Sequence, residues 1–222
     1  MIPELTEIKA GVGALIINPD GKFLSVMENH SRFDNQKIKG MLSFPIDTVE
    51  SGETHEEAMQ RLLMGEEVGG IEVTETSLTE MILNRTQLNP GIWLYTYLLH
   101  SKNDLLRPGN AKDVSEISWQ NLRSPLDTID YTISLSNMDS LPESLDRSVR
   151  DAINKVLEKQ RRAINFGNLL WRPGIKETIQ DYFNYLKSPT GYIPRVNEQV
   201  SGRTPIEIFD FLEEYKEEEF NH

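Results

Sequence analysis

The sequence predicts an α/β protein: a mixed β-sheet sandwiched by helices, followed by an α-helical C-terminal extension. Three observations lead there. Short runs with strand character, each punctuated by turn residues, fill most of the first 138 residues. One helix with a complete start signal interrupts them near His55. Beyond about residue 138 strand alternation gives way to three- and four-residue apolar spacing.

The elements follow in order. Gly11 to Ile17 is an apolar strand, and Asn18-Pro19-Asp20-Gly21 turns it into the alternating Lys22 to Val26, a hairpin signal. Gly11-Val12-Gly13 is not read as a dinucleotide loop, because the third glycine would fall at Ile16 and the glycines open a strand instead of following one. Polar residues 30–39 form a surface loop before a short strand at Met41 to Pro45. Thr54 and Glu57 have the spacing of a capping box, so a helix starts at His55. Gly69-Gly70 marks its expected end as a left-handed cap. Further strands are expected at Ile71 to Thr74, Leu78 to Leu83, Ile92 to His100 and Val114 to Trp119.

The division is therefore residues 1–138 as the sheet-bearing domain and 139–222 as the helical extension. Leu145, Val149, Ala152, Ile153 and Val156 outline one helix of the extension, and Ile175, Ile179, Tyr182, Phe183 and Leu186 a second. Thr204-Pro205-Ile206-Glu207 opens a third with a capping box and proline at the first helical position.

Composition narrows the function classes. The 222 residues include 38% hydrophobic and 26% charged, an ordinary globular balance, and carry a net charge of −12 with a pI near 4.8. Such a charge repels a phosphate backbone at long range, which disfavours nucleic acid as a partner and an acidic membrane surface as well. Lys155, Lys159, Arg161 and Arg162 make a local basic patch, but Asp151 and Glu158 balance it as a solvated helix face. There is no cysteine, which excludes disulfides, thiolate nucleophiles and cysteine-ligated zinc. MIPELTEIKA lacks the character of a secretory signal and no run of about 18 apolar residues occurs, so a cytoplasmic protein that does not span a membrane is expected. The four histidines have no ligand spacing and receive no role.

Glu50, Glu53, Glu56, Glu57, Glu66 and Glu67 crowd the loop and helix between Gly40 and Gly70. Acidic residues favour a helix's first turn through its dipole, which accounts for Glu56 and Glu57 as solvated surface. The rest follow a longer pattern. Phe44-Pro45, then Glu50-Ser51-Gly52-Glu53-Thr54, Glu56-Glu57-Ala58, Arg61 and Glu66-Glu67-Val68-Gly69 resemble the box of the Nudix hydrolases over residues 47–70. The strand from Ala10 to Ile17 before its Pro-Asp-Gly-Lys turn, and Glu116-Ile117-Ser118-Trp119, extend the likeness to roughly residues 5–135. The helical tail carries no family likeness of its own.

The resemblance implies a Nudix-like fold and a metal-dependent hydrolysis of a nucleoside diphosphate linked to another group. It also implies Mg2+ or Mn2+ held by Glu66 and Glu67, with Glu53 and Arg61 in support. In the family, carboxylates at helical spacing hold divalent cations against a diphosphate. The sequence departs from the box in two places. Leu62 stands where the family has a glutamate, and one extra residue near Met64-Gly65 shifts Glu66 and Glu67. A one-turn bulge would return them to the inner face, whereas an early helix stop would leave them in a loop. Hydrolysis would then be impaired, and a catalytically silent module binding a nucleotide-type small molecule or a protein is the alternative, with a Nudix-like transcriptional regulator the least favoured. A homodimer stays open. Trp93, Tyr95 and Tyr97 alternate on one strand, where half-buried packing is the commoner use and stacking on a nucleobase the sharper one.

Overall fold

A computed structural model describes residues 9–32, 37–66, 68–74, 82–89, 92–106, 109, 114–128, 131–141, 143, 147–161, 164–167 and 170–197. The first strand, β1 (Lys9–Ile17), is the spine of an eight-stranded mixed sheet. The Asn18 turn folds it back antiparallel onto β2 (Lys22–Glu28) with Ile17 opposite Phe23, and the Asn18 side-chain oxygen accepts from the Lys22 amide at 2.7 Å. β3 (Leu42–Ser43) pairs with β2, and β4 (Ile46–Thr48) pairs with β1. On the other side β1 runs parallel to β6 (Ile92–His100), which is joined in turn by β5 (Ile82–Asn89). β7 (Val114–Asn121) closes onto β2.

β1 is buried on both faces from Val12 to Ile17, as a continuous apolar run in a sandwiched strand must be. On one face Val12, Ala14 and Ile16 meet Ala58 and Met59 of α1 (His55–Arg61) and Leu62 beyond it. On the other face Leu15, Ile17 and Phe23 meet Trp171 and the Ile175, Ile179 and Tyr182 stripe of a later helix, the thirteen-residue Ile175–Lys187. The glycines of β1 have a packing reason. A Cβ on Gly11 would sit 3.2 Å from the Asp47 carbonyl oxygen of β4, so the close approach of that strand favours glycine there.

Several expectations are corrected. Of the short strand expected at Met41 to Pro45 only Leu42–Ser43, β3, is seen; pairing breaks at Phe44-Pro45, because proline cannot donate to a ladder, and β4 follows beyond the expected range. Ile71 to Thr74 contributes only a bridge from Val73 to Ser101. Of the strand expected at Leu78 to Leu83, Ile82 and Leu83 open β5, and residues 78–81 lie outside the described residues. Past residue 121 come a four-residue helix, α2 (Ser124–Asp127), and a short strand outside the main sheet, β8 (Tyr131–Ile133). The expected helices follow as α3 (Arg147–Gln160) and α4 (Ile175–Lys187). Two strands in this region were not anticipated: β9 (Ile164–Gly167), paired with β8, and β10 (Arg195–Asn197), parallel to β5 at the sheet edge. Three- and four-residue strands are too short for their alternation to register in sequence. The helix expected from Thr204 lies outside the described residues.

A buried ion cluster ties α4 to the sheet. The Glu28 carboxylate at the end of β2 lies 2.6 Å from Lys37 Nζ and 3.0 Å from an Arg172 guanidinium nitrogen, with all three side chains nearly inaccessible. Arg172 directly precedes the Pro173-Gly174 entry to α4, and its backbone amide bonds the Leu42 carbonyl at 2.9 Å. Inside α4, Asp181 accepts a 3.0 Å bond from the Asn84 side-chain Nδ2 of β5, which also donates to the Thr178 hydroxyl at 3.0 Å. No helix among the described residues is long and apolar enough to cross a membrane.

Candidate functional site

The glutamate-rich segment runs from β4 through a turn into α1. The Thr54 hydroxyl oxygen accepts from the Glu57 amide at 3.2 Å, and the Glu57 carboxylate accepts from the Thr54 amide at 2.8 Å, the reciprocal bonds of a capping box. These bonds hold the Glu57 carboxyl below its ordinary value, chiefly through the Thr54 amide. The glutamate is engaged in starting the helix.

Glu53 and Arg61, both singled out from the sequence, are brought together. Arg61 Nε donates to one Glu53 oxygen at 3.0 Å and an Arg61 terminal nitrogen donates to the other at 3.0 Å, a two-pronged pair. Arg61 also donates to the Thr48 carbonyl oxygen at 2.8 Å and to the Asp47 carboxylate. The Glu50 amide in turn donates to Glu53 at 2.8 Å. The guanidinium beside it, then its backbone neighbour, lowers the Glu53 carboxyl from its ordinary value. The arrangement braces the loop from β4 to α1 against the last turn of the helix. Asp47 was not anticipated as part of it. It stands where the box has a glycine, and only the fold brings it within reach of Arg61, fourteen residues away.

The end of the helix departs from expectation. After Arg61 the chain widens into a π turn over Leu62–Glu66, and Gly65 leaves helical geometry with φ 165° and ψ −9°. A π turn accommodates one extra residue, as the one-residue excess in the box requires. The helix then stops at Glu66, so Gly69-Gly70 does not cap it. Gly70 instead makes a separate turn with φ 80°, its amide bonding Val68. Leu62 is completely buried in the core beneath α1 and Leu63 nearly so, while Met64 is exposed.

Of the two expected metal ligands, Glu66 has only its backbone described and Glu67 lies outside the described residues. Among the described residues no group of three histidine or acidic side chains is placed to hold a metal ion. The donor chemistry agrees: Leu62 offers hydrocarbon, Glu53 is paired with Arg61, and Glu57 caps the helix. Among the described side chains of the box, Glu53 and Glu57 are thus already engaged, by Arg61 and by the helix start.

A second group lies at the other end of α1. His55 Nδ1 is 2.8 Å from the Tyr97 hydroxyl, and the His55 ring packs on Tyr95 with centroids 4.5 Å apart. Arg85 of β5 lies over the same Tyr95 ring at 5.5 Å. Burial first, and the Arg85 charge second, lower the His55 imidazole from its ordinary value. Burial raises the Tyr97 phenol. His55 thus has a partner the sequence did not reveal, since the contact joins residues 42 apart; the aromatic alternation on β6 was the one available signal.

Several solved structures resemble the chain. It is similar to an ADP-ribose pyrophosphatase from Streptococcus suis at 14% identity, covering 86% of this chain and 99% of that one, with a TM-score of 0.48. It is similar to a MutT protein from Methanosarcina mazei at 18% identity, covering 71% and 98%, with a TM-score of 0.41. A NUDIX hydrolase from Nitrosomonas europaea gives 11% identity, coverage of 87% and 80%, and a TM-score of 0.45. No curated protein matches in sequence. The family model described as the NUDIX domain matches residues 7–133, more than half the chain and the whole of the β1-to-β8 region. On that match, together with the mixed sheet and the braced box helix, the chain belongs to the Nudix family.

Proposed function

We propose that this chain is a Nudix-fold module that binds a nucleotide-type ligand, a nucleoside diphosphate linked to another group, without hydrolysing it efficiently. The observation that carries the reading is the complete burial of Leu62 at the position where the family pattern has a carboxylate. A buried leucine stabilises the domain by about 1.5 to 3 kcal/mol and supplies no metal ligand. The departure of Gly65 from helical geometry supports the same reading, because Glu66 then follows a break in the helix instead of continuing its regular spacing.

A second reading, metal-dependent hydrolysis through Glu66 and Glu67 with Mg2+ or Mn2+, is favoured by the Glu53–Arg61–Asp47 brace. That brace positions the loop and helix as a working box would need. Divalent ions in such a site would neutralise diphosphate oxygens.

The test is calorimetric titration of the full chain with Mg2+ and with Mn2+, followed by a turnover assay on a panel of nucleoside diphosphate derivatives. The binding-module reading expects ligand affinity without metal and no turnover above background. Turnover that requires metal and disappears in Glu66→Gln and Glu67→Gln would overturn it in favour of the hydrolase.

A further inference from the structure

The face of the sheet that carries α1 continues beyond it. The register sets Val196, Arg85, Tyr95 and Val12 side by side across β10, β5, β6 and β1. Partners in register point to one face, and Trp93, two residues before Tyr95, shares it. Val12 is fully buried beneath α1, Tyr95 and Trp93 are half-buried, and Arg85 and Val196 are exposed. The row therefore runs from the core to a shelf of two half-buried aromatic rings with an exposed guanidinium lying on one of them.

Two features separate this shelf from ordinary strand packing. Arg85 makes no ion pair among the described residues, on a chain whose net charge is −12 and which therefore offers carboxylates in excess. It lies instead over Tyr95, exposed, and no described residue bonds its donors, which can meet an incoming anion. The shelf is also held in shape from behind: His55 packs on Tyr95, and the fully buried Tyr97 fixes His55 through its hydroxyl. Rings held in place before a ligand arrives spend little freedom on binding it.

We infer that Trp93, Tyr95 and Arg85 form a binding shelf for the base and a phosphate of a nucleotide, the base stacking on the rings and the phosphate meeting the guanidinium. The inference rests on the nucleotide-type ligand proposed above and assigns that ligand's base a place next to the box helix, which His55 begins. Every base has a face that stacks, so the shelf selects for a planar anion more than for one particular base. Arg85 would supply the preference for a phosphorylated ligand.

The experiment titrates the full chain, without metal, with nucleoside diphosphate sugars, nucleoside monophosphates, the parent nucleosides and inorganic phosphate, by calorimetry. Tyr95→Leu should weaken nucleotide binding by about tenfold or more, in the range of a lost base stack. Arg85→Gln should remove the preference for a monophosphate over its nucleoside. Arg85 is exposed, so that variant keeps the test valid should Tyr95→Leu fail to fold. Nucleotides that bind wild type and both folded variants equally overturn the shelf and leave the ligand class standing. A wild-type chain that binds none of the nucleotides overturns both.

Discussion

Arg61 is the residue on which the box segment depends, because its guanidinium holds Glu53, Asp47 and the Thr48 carbonyl together. Arg61→Met should lower the urea midpoint and also flatten its acid limb. The Glu53 carboxyl is lowered from 4.5 in the folded chain, so its contribution is present above that value and is lost as pH falls through the lower folded value. Following the midpoint in both chains across the acid range checks it. Leu62 is the opposite case. Leu62→Glu would place a carboxylate in a fully buried apolar site, at a cost of about 3 kcal/mol or more, and should add no Mg2+-dependent rise in melting temperature. A stable variant that gains such a rise would show that the site opens readily to a cation. His55 is lowered from 6.5, so the folded state favours the neutral ring: its contribution is present above pH 6.5 and lost as pH falls below it. His55→Gln should remove that part of the pH dependence of thermal unfolding.

At the scale of the element, α1 is a seven-residue helix whose start is secured by a capping box and whose last residue, Arg61, is tied to the loop before it. Helices this short owe their stability to caps and tertiary packing more than to propensity. Thr54→Ala should therefore cost about 1 kcal/mol in unfolding free energy, read from urea denaturation. A methyl group added at Gly65 would meet nothing within 4 Å, and the φ of 165° there is extended backbone. Gly65→Ala should change stability by less than about 0.5 kcal/mol. The helix start was legible in the sequence, because Thr54 and Glu57 are local partners three residues apart. Its end was not, since one extra residue can be absorbed by a π turn or by an early stop at similar local energy, and the burial of Leu62 and Leu63 selects the observed combination.

For the whole molecule, the relevant fact is that α4 and the sheet share one core. Trp171, Ile175, Ile179 and Tyr182 cover Leu15, Phe23, Leu83 and Leu98. The division at residue 138 marks where strand patterning fades in the sequence, and cutting the chain there would expose that apolar face. A chain ending at 138 should be insoluble or lack a cooperative transition by circular dichroism, whereas a chain ending at 197 should retain one. The buried Glu28 cluster sits at the same junction. Arg172→Met leaves the Glu28 carboxylate buried with Lys37 alone and should cost about 3 to 5 kcal/mol, measured by urea unfolding.

Local chemistry made much of this protein readable in advance: the hairpin at Asn18-Pro19-Asp20-Gly21, the capped start of α1, the aromatic strand β6, the helices α3 and α4, and the family box itself. Each depends on residues within a few positions of one another, so period and turn preference suffice to reveal it. Contacts between distant residues were decided only by the tertiary structure. They include α4 on the sheet's second face, Asp47 on Arg61, His55 on Tyr95 and Tyr97, and Glu28 buried with Arg172. No local preference encodes which surfaces meet; burying the apolar faces of β1 on both sides does.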